Sequence, residues 1–233
     1  MPVNMLGWEL LEEFEKGKKT FSGIHMEFSD MTSVNLEGLT IKDSKLNFVL
    51  LRMSNLKNCK FINCEMFSCG FRNADLTNTA FENCKIDYGY FQDAIFDGTK
   101  MTKCNLSFCG MFSASAGSID MSTSTLFKVF TDVSQVSQDD MDAAYAGLLP
   151  FLQNLDFEIR SQMQGLIKAA TDKIGMEPAK SAQTPYGQKG SSYAKPLSVY
   201  SMMEQLISTY AAKNPYKNKA KTPYEKDDSY KTS

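Results

Sequence analysis

The chain has 233 residues, of which 42% are hydrophobic and 22% charged, which is ordinary for a globular protein of one or two domains. Its formal net charge of −2 provides no global field that would attract nucleic acid. We find neither a membrane-spanning apolar run nor a signal-peptide pattern, and six cysteines are too dilute for a disulfide scaffold. We therefore expect a cytoplasmic protein without a membrane segment.

Residues 1–20 are predicted to form an N-terminal capping helix. Trp8, Leu11 and Phe14 have the spacing of one helical face. Such a face can cover the open end of a stacked structure, which invites aggregation if it stays exposed.

Residues 21–130 carry an apolar side chain at every fifth position. The series runs from Phe21 to Leu126 through 22 successive blocks without a slip in register. The residue two positions earlier is small in 18 of 21 blocks. A period of five fits neither an α-helix nor a β-strand. It predicts a solenoid in which each block forms one side of a square coil and points one large and one small side chain inward.

Several blocks resemble the repeat unit of the pentapeptide-repeat family, for example Ala74-Asp75-Leu76-Thr77-Asn78. The lead-in LLEEFEKGKKTFSGIHM at 10–26 is similar to that family's usual entry into its fold. The resemblance covers about half of the chain, residues 10–126. It implies a mainly β fold, a right-handed quadrilateral β-helix of about five coils, and a rod about 25 Å long. Some members of the family mimic DNA and occupy topoisomerases.

The cysteines follow the same five-residue period as the small inward position. We interpret them as small buried side chains, which is the usual role of a free cysteine. A metal site and a disulfide between neighbouring columns are the alternatives that metal analysis and thiol titration would test. The six are Cys59, Cys64, Cys69, Cys84, Cys104 and Cys109.

Outward apolar residues are concentrated at one corner of the predicted rod. Four aromatic residues are separated by multiples of twenty, so they stack in one column, with Ser68 in the gap. Three further residues lie beside that column. The set, called the aromatic corner below, is Phe28, Phe48, Leu50, Phe67, Tyr88, Tyr90 and Phe108. Either the chain's own C-terminal segment covers this corner, or a partner does, which includes a second copy of this chain.

The region after the rod divides into four segments by composition. Residues 131–175 form an amphipathic helical region, and residues 176–197 read as a flexible linker. Residues 198–213 form a short amphipathic helix, and residues 214–233 a basic Tyr/Lys tail without a folding pattern. The apolar stripe of the short helix is Val199, Met203, Leu206 and Tyr210. Such a helix is typical of a docking peptide, but it could equally pack on its own rod.

No residue is a candidate for catalysis, metal binding or cofactor binding. The single histidine, His25, cannot build the common zinc sites or catalytic triads alone. We predict a non-enzymatic protein-interaction scaffold without a cofactor, which self-associates, with a homodimer as the first expectation, or docks a protein partner. The aromatic corner and the C-terminal helices would carry this binding.

Two other functions stay open. The first is a DNA-mimicking modulator of a type II topoisomerase, and the second is a structural component of a large assembly. Residues 21–130 contain 11 acidic and 10 basic side chains, well interspersed, which disfavours mimicry of a phosphate backbone. We expect neither nucleic acid nor a membrane as the partner.

Overall fold

A computed structural model describes residues 3–114 and 119–132, together with positions 135–137, 139, 140, 143, 146, 147 and 208. The predictions for the linker and the tail, and most of those for the two helical segments, lie outside these residues. Among the described residues, no helix has the length and apolar character needed to cross a membrane.

The N-terminal segment closes one end of the rod. Helix α1 spans Gly7–Glu15, and the backbone N–H of Leu6 donates to the Glu9 carboxylate at 2.7 Å, which satisfies an N–H before the first turn. Leu10 and Phe14 are buried and belong to the core of the rod. Strand β1, Val3–Asn4, pairs in parallel with the first coil and was not predicted.

The rod itself is made of short strands at regular intervals. One set is β2 Thr20–Ser22, β4 Thr40–Lys42, β6 Lys60–Ile62, β8 Ala80–Glu82 and β10 Lys100–Thr102. The other is β3 Ile24–Glu27, β5 Lys45–Asn47, β7 Glu65–Phe67, β9 Lys85–Asp87, β11 Asn105–Ser107 and β12 Thr125–Phe127.

These strands form two parallel sheets on two sides of a square coil. Their orders are β1-β3-β5-β7-β9-β11-β12 and β10-β8-β6-β4-β2. Paired residues within the rod are twenty apart, as in Met26 beside Leu46. Single bridges with the same spacing, such as Asn35 to Asn55, mark the other two sides. The predicted β-solenoid is confirmed. It has about six turns rather than five, since one sheet stacks a strand from each of six successive coils, from β3 to β12.

Large side chains fill the interior in stacks. The rings of Phe61 and Phe81 lie 5.0 Å apart and nearly parallel, and those of Phe71 and Phe91 lie 4.8 Å apart. All four are fully buried, so the five-residue period correctly identified the core.

All six cysteines are buried, and none of them forms a disulfide. The Cys59 thiol donates to the carbonyl oxygen of Leu36 at 3.1 Å, and the Thr79 hydroxyl does the same to Leu56 at 2.6 Å. The small inward position therefore favours side chains that can donate to the coil below, a role that size alone did not reveal. Burial raises the pKa of Cys69 and of Cys109 to about 12, so both stay protonated thiols at neutral pH.

Candidate protein-binding surface

The residue that turns each side into the next has a left-handed backbone. At every fifth position from Gly23 to Ser113, φ lies between 46° and 76°. This conformation costs an ordinary L-residue about 1–2 kcal/mol, whereas Gly, Asn and Asp adopt it more readily. At three corners these residues are mostly small or polar: Gly23, Asp43, Asn63, Asn83, Lys103; Ser33, Met53, Asn73, Asp93, Ser113; and Gly38, Asn58, Asn78, Gly98.

The fourth corner places bulky aromatic residues in the same conformation. Phe28 has a φ of 46°, Phe48 of 55°, Tyr88 of 58° and Phe108 of 50°. Only Ser68 interrupts this column with a small polar side chain. The sequence prediction that these residues share one corner agrees with their register in the solenoid.

The rings form a continuous ladder. Phe28 stacks on Phe48 with centroids 4.7 Å apart, and Tyr88 stacks on Phe108 at 5.3 Å. Phe67 fills the gap beside Ser68, because its ring lies edge-on to Phe48 at 5.4 Å and to Tyr88 at 5.2 Å. Each such pair contributes about 0.5–1.5 kcal/mol beyond its buried area.

The middle of this ladder is covered although its side chains point away from the coil. Phe48 is 2% exposed and Phe67 is 6% exposed. At another corner, the left-handed Met53 is 54% exposed, and at the upper end of the ladder Phe127 is 55% exposed. The half-buried members are Phe28, Tyr88 and Phe108.

The side next to the ladder is also apolar and buried. Leu50 is buried, and Tyr90 forms a cluster with Phe112 and Phe130, against which Val136 packs. Sequence reasoning did not include Phe112 or Phe130 among the site residues. Both lie on the same side of the coil as Tyr90, so the twenty-residue spacing could have identified Phe130.

Gly110 makes room for this cluster. A Cβ atom at Gly110 would lie 2.8 Å from the ring of Phe112 and 3.3 Å from that of Tyr90. A larger residue would therefore push the two rings apart.

Two described residues after residue 130, Asp140 and Gly147, contact residues of the column that carries the ladder. Lys128 follows Phe108 by twenty residues, and its Nζ lies 2.5 Å from the Asp140 carboxylate, which is 6% exposed. Lys128, followed by Ser137, lowers the pKa of Asp140 to about 2. Gly147 approaches the Tyr88 hydroxyl so closely that a Cβ atom there would overlap it. Burial raises the pKa of Tyr88, which agrees with this coverage.

Ser208 is bound at the lower end of the same face. Its hydroxyl donates to the Asp30 carboxylate at 3.0 Å and accepts from the Arg52 guanidinium at 3.2 Å. Arg52 also donates to Thr32 at 3.3 Å. The remaining predicted site residues, Val199, Met203, Leu206 and Tyr210, lie outside the described part of the chain and stay predictions.

No protein-family model matches the chain, and a comparison with curated proteins finds no match. Similar solved structures are pentapeptide-repeat proteins. HetL from the cyanobacterium Nostoc sp. strain PCC 7120, involved in heterocyst differentiation regulation, is 19% identical with a TM-score of 0.45. That match covers 47% of this chain and 46% of HetL, so the chain spans about half of HetL's length.

Two further structures are similar at this level. Rfr23 from the cyanobacterium Cyanothece 51142 is 14% identical with a TM-score of 0.43, over 53% of this chain and 93% of that one. QnrB1, a plasmid-mediated fluoroquinolone resistance protein, is 13% identical with a TM-score of 0.25, over 61% and 97%. The rod of this chain is a solenoid of pentapeptide repeats. That statement depends on the chain's own five-residue period and twenty-residue register, which confirm the resemblance inferred from the sequence.

The surface of the pentapeptide-repeat rod mixes both signs of charge. Lys45 pairs with Glu65 at 2.8 Å and Lys57 with Asp75 at 3.0 Å. In the described part of the rod, such pairs place opposite charges side by side. Within the described residues, no group of three or more His, Cys, Asp or Glu side chains is placed to hold a metal ion.

Proposed function

We propose that the chain is a non-catalytic protein-interaction scaffold whose aromatic corner binds another protein, a second copy of this chain included. The observation that supports this function is the choice of side chain at the left-handed positions. The coil closes with Asn or Ser at the other corners, so its fold does not require Phe48 or Tyr88 here. Retained backbone strain at one surface is typical of a functional site.

The chemistry of the corner suits protein binding. Aromatic side chains dominate the energy of protein interfaces because they bury a large area at a low cost in conformational entropy. The ladder holds each ring against the next one, as Phe28 and Phe48 show, so little further ordering is needed on binding. The paired surface charges favour this function over DNA mimicry, for which a gyrase supercoiling assay with added protein is the direct test.

The experiment is a comparison of three tagged chains in the native host. The first is the unchanged chain, the second carries Tyr88→Asn with Phe108→Asn, and the third carries Met53→Asn at an exposed corner. Asn tolerates the left-handed backbone at all three positions, so the rod is expected to stay folded. Circular dichroism checks this before capture.

We expect the unchanged chain and the Met53→Asn control to capture the same protein or to have the same oligomeric mass. The double variant should lose at least tenfold of that capture, because truncated interface aromatics typically cost about 2 kcal/mol or more. Identical captured proteins and identical masses for all three chains would contradict the proposed function.

A chain that ends at residue 196 tests the contribution of the C-terminal segment. It lacks Ser208 and the predicted stripe, whereas the rod keeps its own core. We expect an unchanged β-sheet signal but the loss of a partner or of an assembly state, measured by light scattering and by capture. An unchanged mass and an unchanged set of partners would assign the binding to the rod alone.

A further inference from the structure

Ser208 lies in a closed cycle of hydrogen bonds with three residues of the rod. Its hydroxyl donates to Oδ2 of Asp30 at 3.0 Å and accepts from Nη2 of Arg52 at 3.2 Å. Arg52 donates through Nε to the Thr32 hydroxyl at 3.3 Å, and that hydroxyl donates to Oδ1 of Asp30 at 2.6 Å. Each of the four side chains is thus held by two others.

The same Asp-x-Thr turn occurs elsewhere in the rod. Oδ1 of Asp75 accepts from the Thr77 backbone N–H at 3.1 Å and from its hydroxyl at 2.6 Å, and both distances equal those of the turn that begins at Asp30. The second carboxylate oxygen differs, since Oδ2 of Asp75 pairs with Lys57, whereas Oδ2 of Asp30 accepts from a hydroxyl 178 residues away in the chain. The turn therefore belongs to the solenoid, and the contact with Ser208 is an addition to it.

The cycle borders the lower part of the aromatic corner. Asp30 forms a parallel bridge with Leu50, which is buried, and it follows Phe28 by two residues. Phe28 stacks on Phe48, which is also buried. The members of the cycle are themselves half-buried, so their hydrogen bonds are partly shielded from water. Hydrogen bonds to charged groups are about twice as strong as neutral ones, and their directions fix one position of the Ser208 hydroxyl.

The upper part of the corner is contacted by residues from the same region of the chain. Asp140 pairs with Lys128, and Gly147 approaches the Tyr88 hydroxyl. Ser208 is bound two to three coils below Tyr88, since twenty residues make one coil. Asp140, Gly147 and Ser208 all come from beyond residue 132, so this region contacts the corner near both of its ends.

We propose that Asp30, Thr32 and Arg52 form a latch, a binding site for the hydroxyl of Ser208 that fastens the part of the chain carrying Ser208 to the lower end of the aromatic corner. The latch recognises a group that donates and accepts at once, which a serine hydroxyl offers and an alanine methyl does not. Resting on the proposed function, the fastened part and the corner together form the partner-binding surface. Opening of the latch therefore weakens partner binding, although every aromatic residue is kept, because the surface is no longer preorganised.

Hydrogen exchange read by mass spectrometry measures the latch in the full chain. Ser208 has α-helical backbone, and alanine favours a helix more than serine does, so helix propensity alone predicts slower exchange in Ser208→Ala. The latch predicts the opposite. We expect the peptide that contains position 208 to exchange about fivefold faster in Ser208→Ala than in the unchanged chain, because two hydrogen bonds to charged groups are lost. Exchange that is unchanged or slower in Ser208→Ala would overturn the latch.

Asp30→Asn and Asp75→Asn are a matched pair of variants. Asparagine keeps the oxygen that accepts within the turn and replaces the second oxygen with an amide donor. We expect Asp30→Asn to accelerate exchange at position 208 about threefold and Asp75→Asn to leave it unchanged. The double variant Asp30→Asn with Ser208→Ala should exchange no faster than Ser208→Ala alone, because both changes break the same contact. Equal effects of the two asparagine variants, or effects that multiply in the double variant, would refute the assigned contact.

The capture experiment in the native host tests whether the latch serves partner binding. We expect Ser208→Ala to reduce capture about fivefold or to lower the oligomeric mass, in the same direction as the chain that ends at residue 196. Asp75→Asn should capture the same proteins as the unchanged chain and have the same mass. Unchanged or increased capture by Ser208→Ala, at an unchanged mass, would overturn this role of the latch.

The outcomes also distinguish this inference from the proposed function. If exchange at position 208 behaves as expected but capture does not depend on Tyr88 and Phe108, the contact of the latch stands and the proposed function fails. If capture depends on those two residues but Ser208→Ala changes neither exchange nor capture, the proposed function stands and the latch is refuted.

Discussion

The aromatic corner and the three other corners share one backbone conformation but carry different side chains. At one polar corner, Asn83 donates to Asn63 at 2.9 Å, and Asn63 donates to Asp43 at 2.8 Å. These amides suit the left-handed backbone and face water. At the aromatic corner, Phe48 occupies the same conformation and is buried. The same left-handed backbone therefore carries exposed amides at one corner and a buried aromatic ring at another.

The largest expected difference in the free energy of unfolding is that between the variants Phe48→Asn and Met53→Asn. Both replace a bulky left-handed residue by one that favours this backbone. Phe48→Asn should lower the free energy of unfolding by about 2–4 kcal/mol, because the lost burial exceeds the relief of strain. Met53→Asn should raise it by about 0.5–1 kcal/mol, because only the strain is relieved.

Denaturant unfolding followed by circular dichroism measures both values. Phe81→Ala, in the core, serves as a reference for the loss of a fully buried ring. If Phe48→Asn stabilises the protein as Met53→Asn does, the two corners are equivalent and the coverage is refuted.

A smaller effect is expected at the polar corner. Asn63→Ala should cost about 1–2 kcal/mol, because alanine tolerates the left-handed backbone poorly and two exposed hydrogen bonds are lost. Asn63→Gly keeps the backbone freedom and removes the same side chain, so the difference between the two variants isolates the backbone contribution. A larger loss for Asn63→Gly than for Asn63→Ala would show that the backbone conformation does not determine this choice.

The five-residue period was sufficient to predict the solenoid because inward positions obey a strict steric rule. The same arithmetic placed Phe28, Phe48 and Tyr88 in one column. It also placed Phe67 beside Ser68, but it could not predict the ring contacts of Phe67 with Phe48 and Tyr88, which depend on the side-chain rotamer.

Coverage of the corner was also beyond the sequence pattern. The covering contacts of Gly147 and Ser208 come from segments without the five-residue period, and they join positions far apart in the chain. Ser208 offers only a hydroxyl, which no motif singles out. Sequence reasoning therefore left the chain's own segment and a partner as open alternatives.

The smallest expected effect is the acid sensitivity of the Lys128 contact. The folded-state pKa of Asp140 is about 2, below the ordinary value of 3.8. Its contribution to stability is therefore present above pH 3.8 and is lost as the pH falls toward 2. Lys128→Gln should lower the free energy of unfolding slightly at pH 7. The further loss of stability between pH 4 and pH 2 should then be smaller in this variant than in the unchanged chain.

Thermal unfolding at several pH values measures this difference. The curves of the unchanged chain and of Lys128→Gln should converge as the pH approaches 2. A constant difference in unfolding temperature between the two chains at all these pH values would mean that Lys128 does not act through the Asp140 carboxylate.

Fluorine NMR with 4-fluorophenylalanine tests the coverage of the corner most directly. Single Phe→Tyr variants assign the signals of Phe48, Phe81 and Phe127, and a soluble paramagnetic agent then reports their exposure. We expect the Phe48 signal to stay as sharp as that of the core residue Phe81, while the Phe127 signal broadens. Broadening of Phe48 to the same extent as Phe127 would contradict the account.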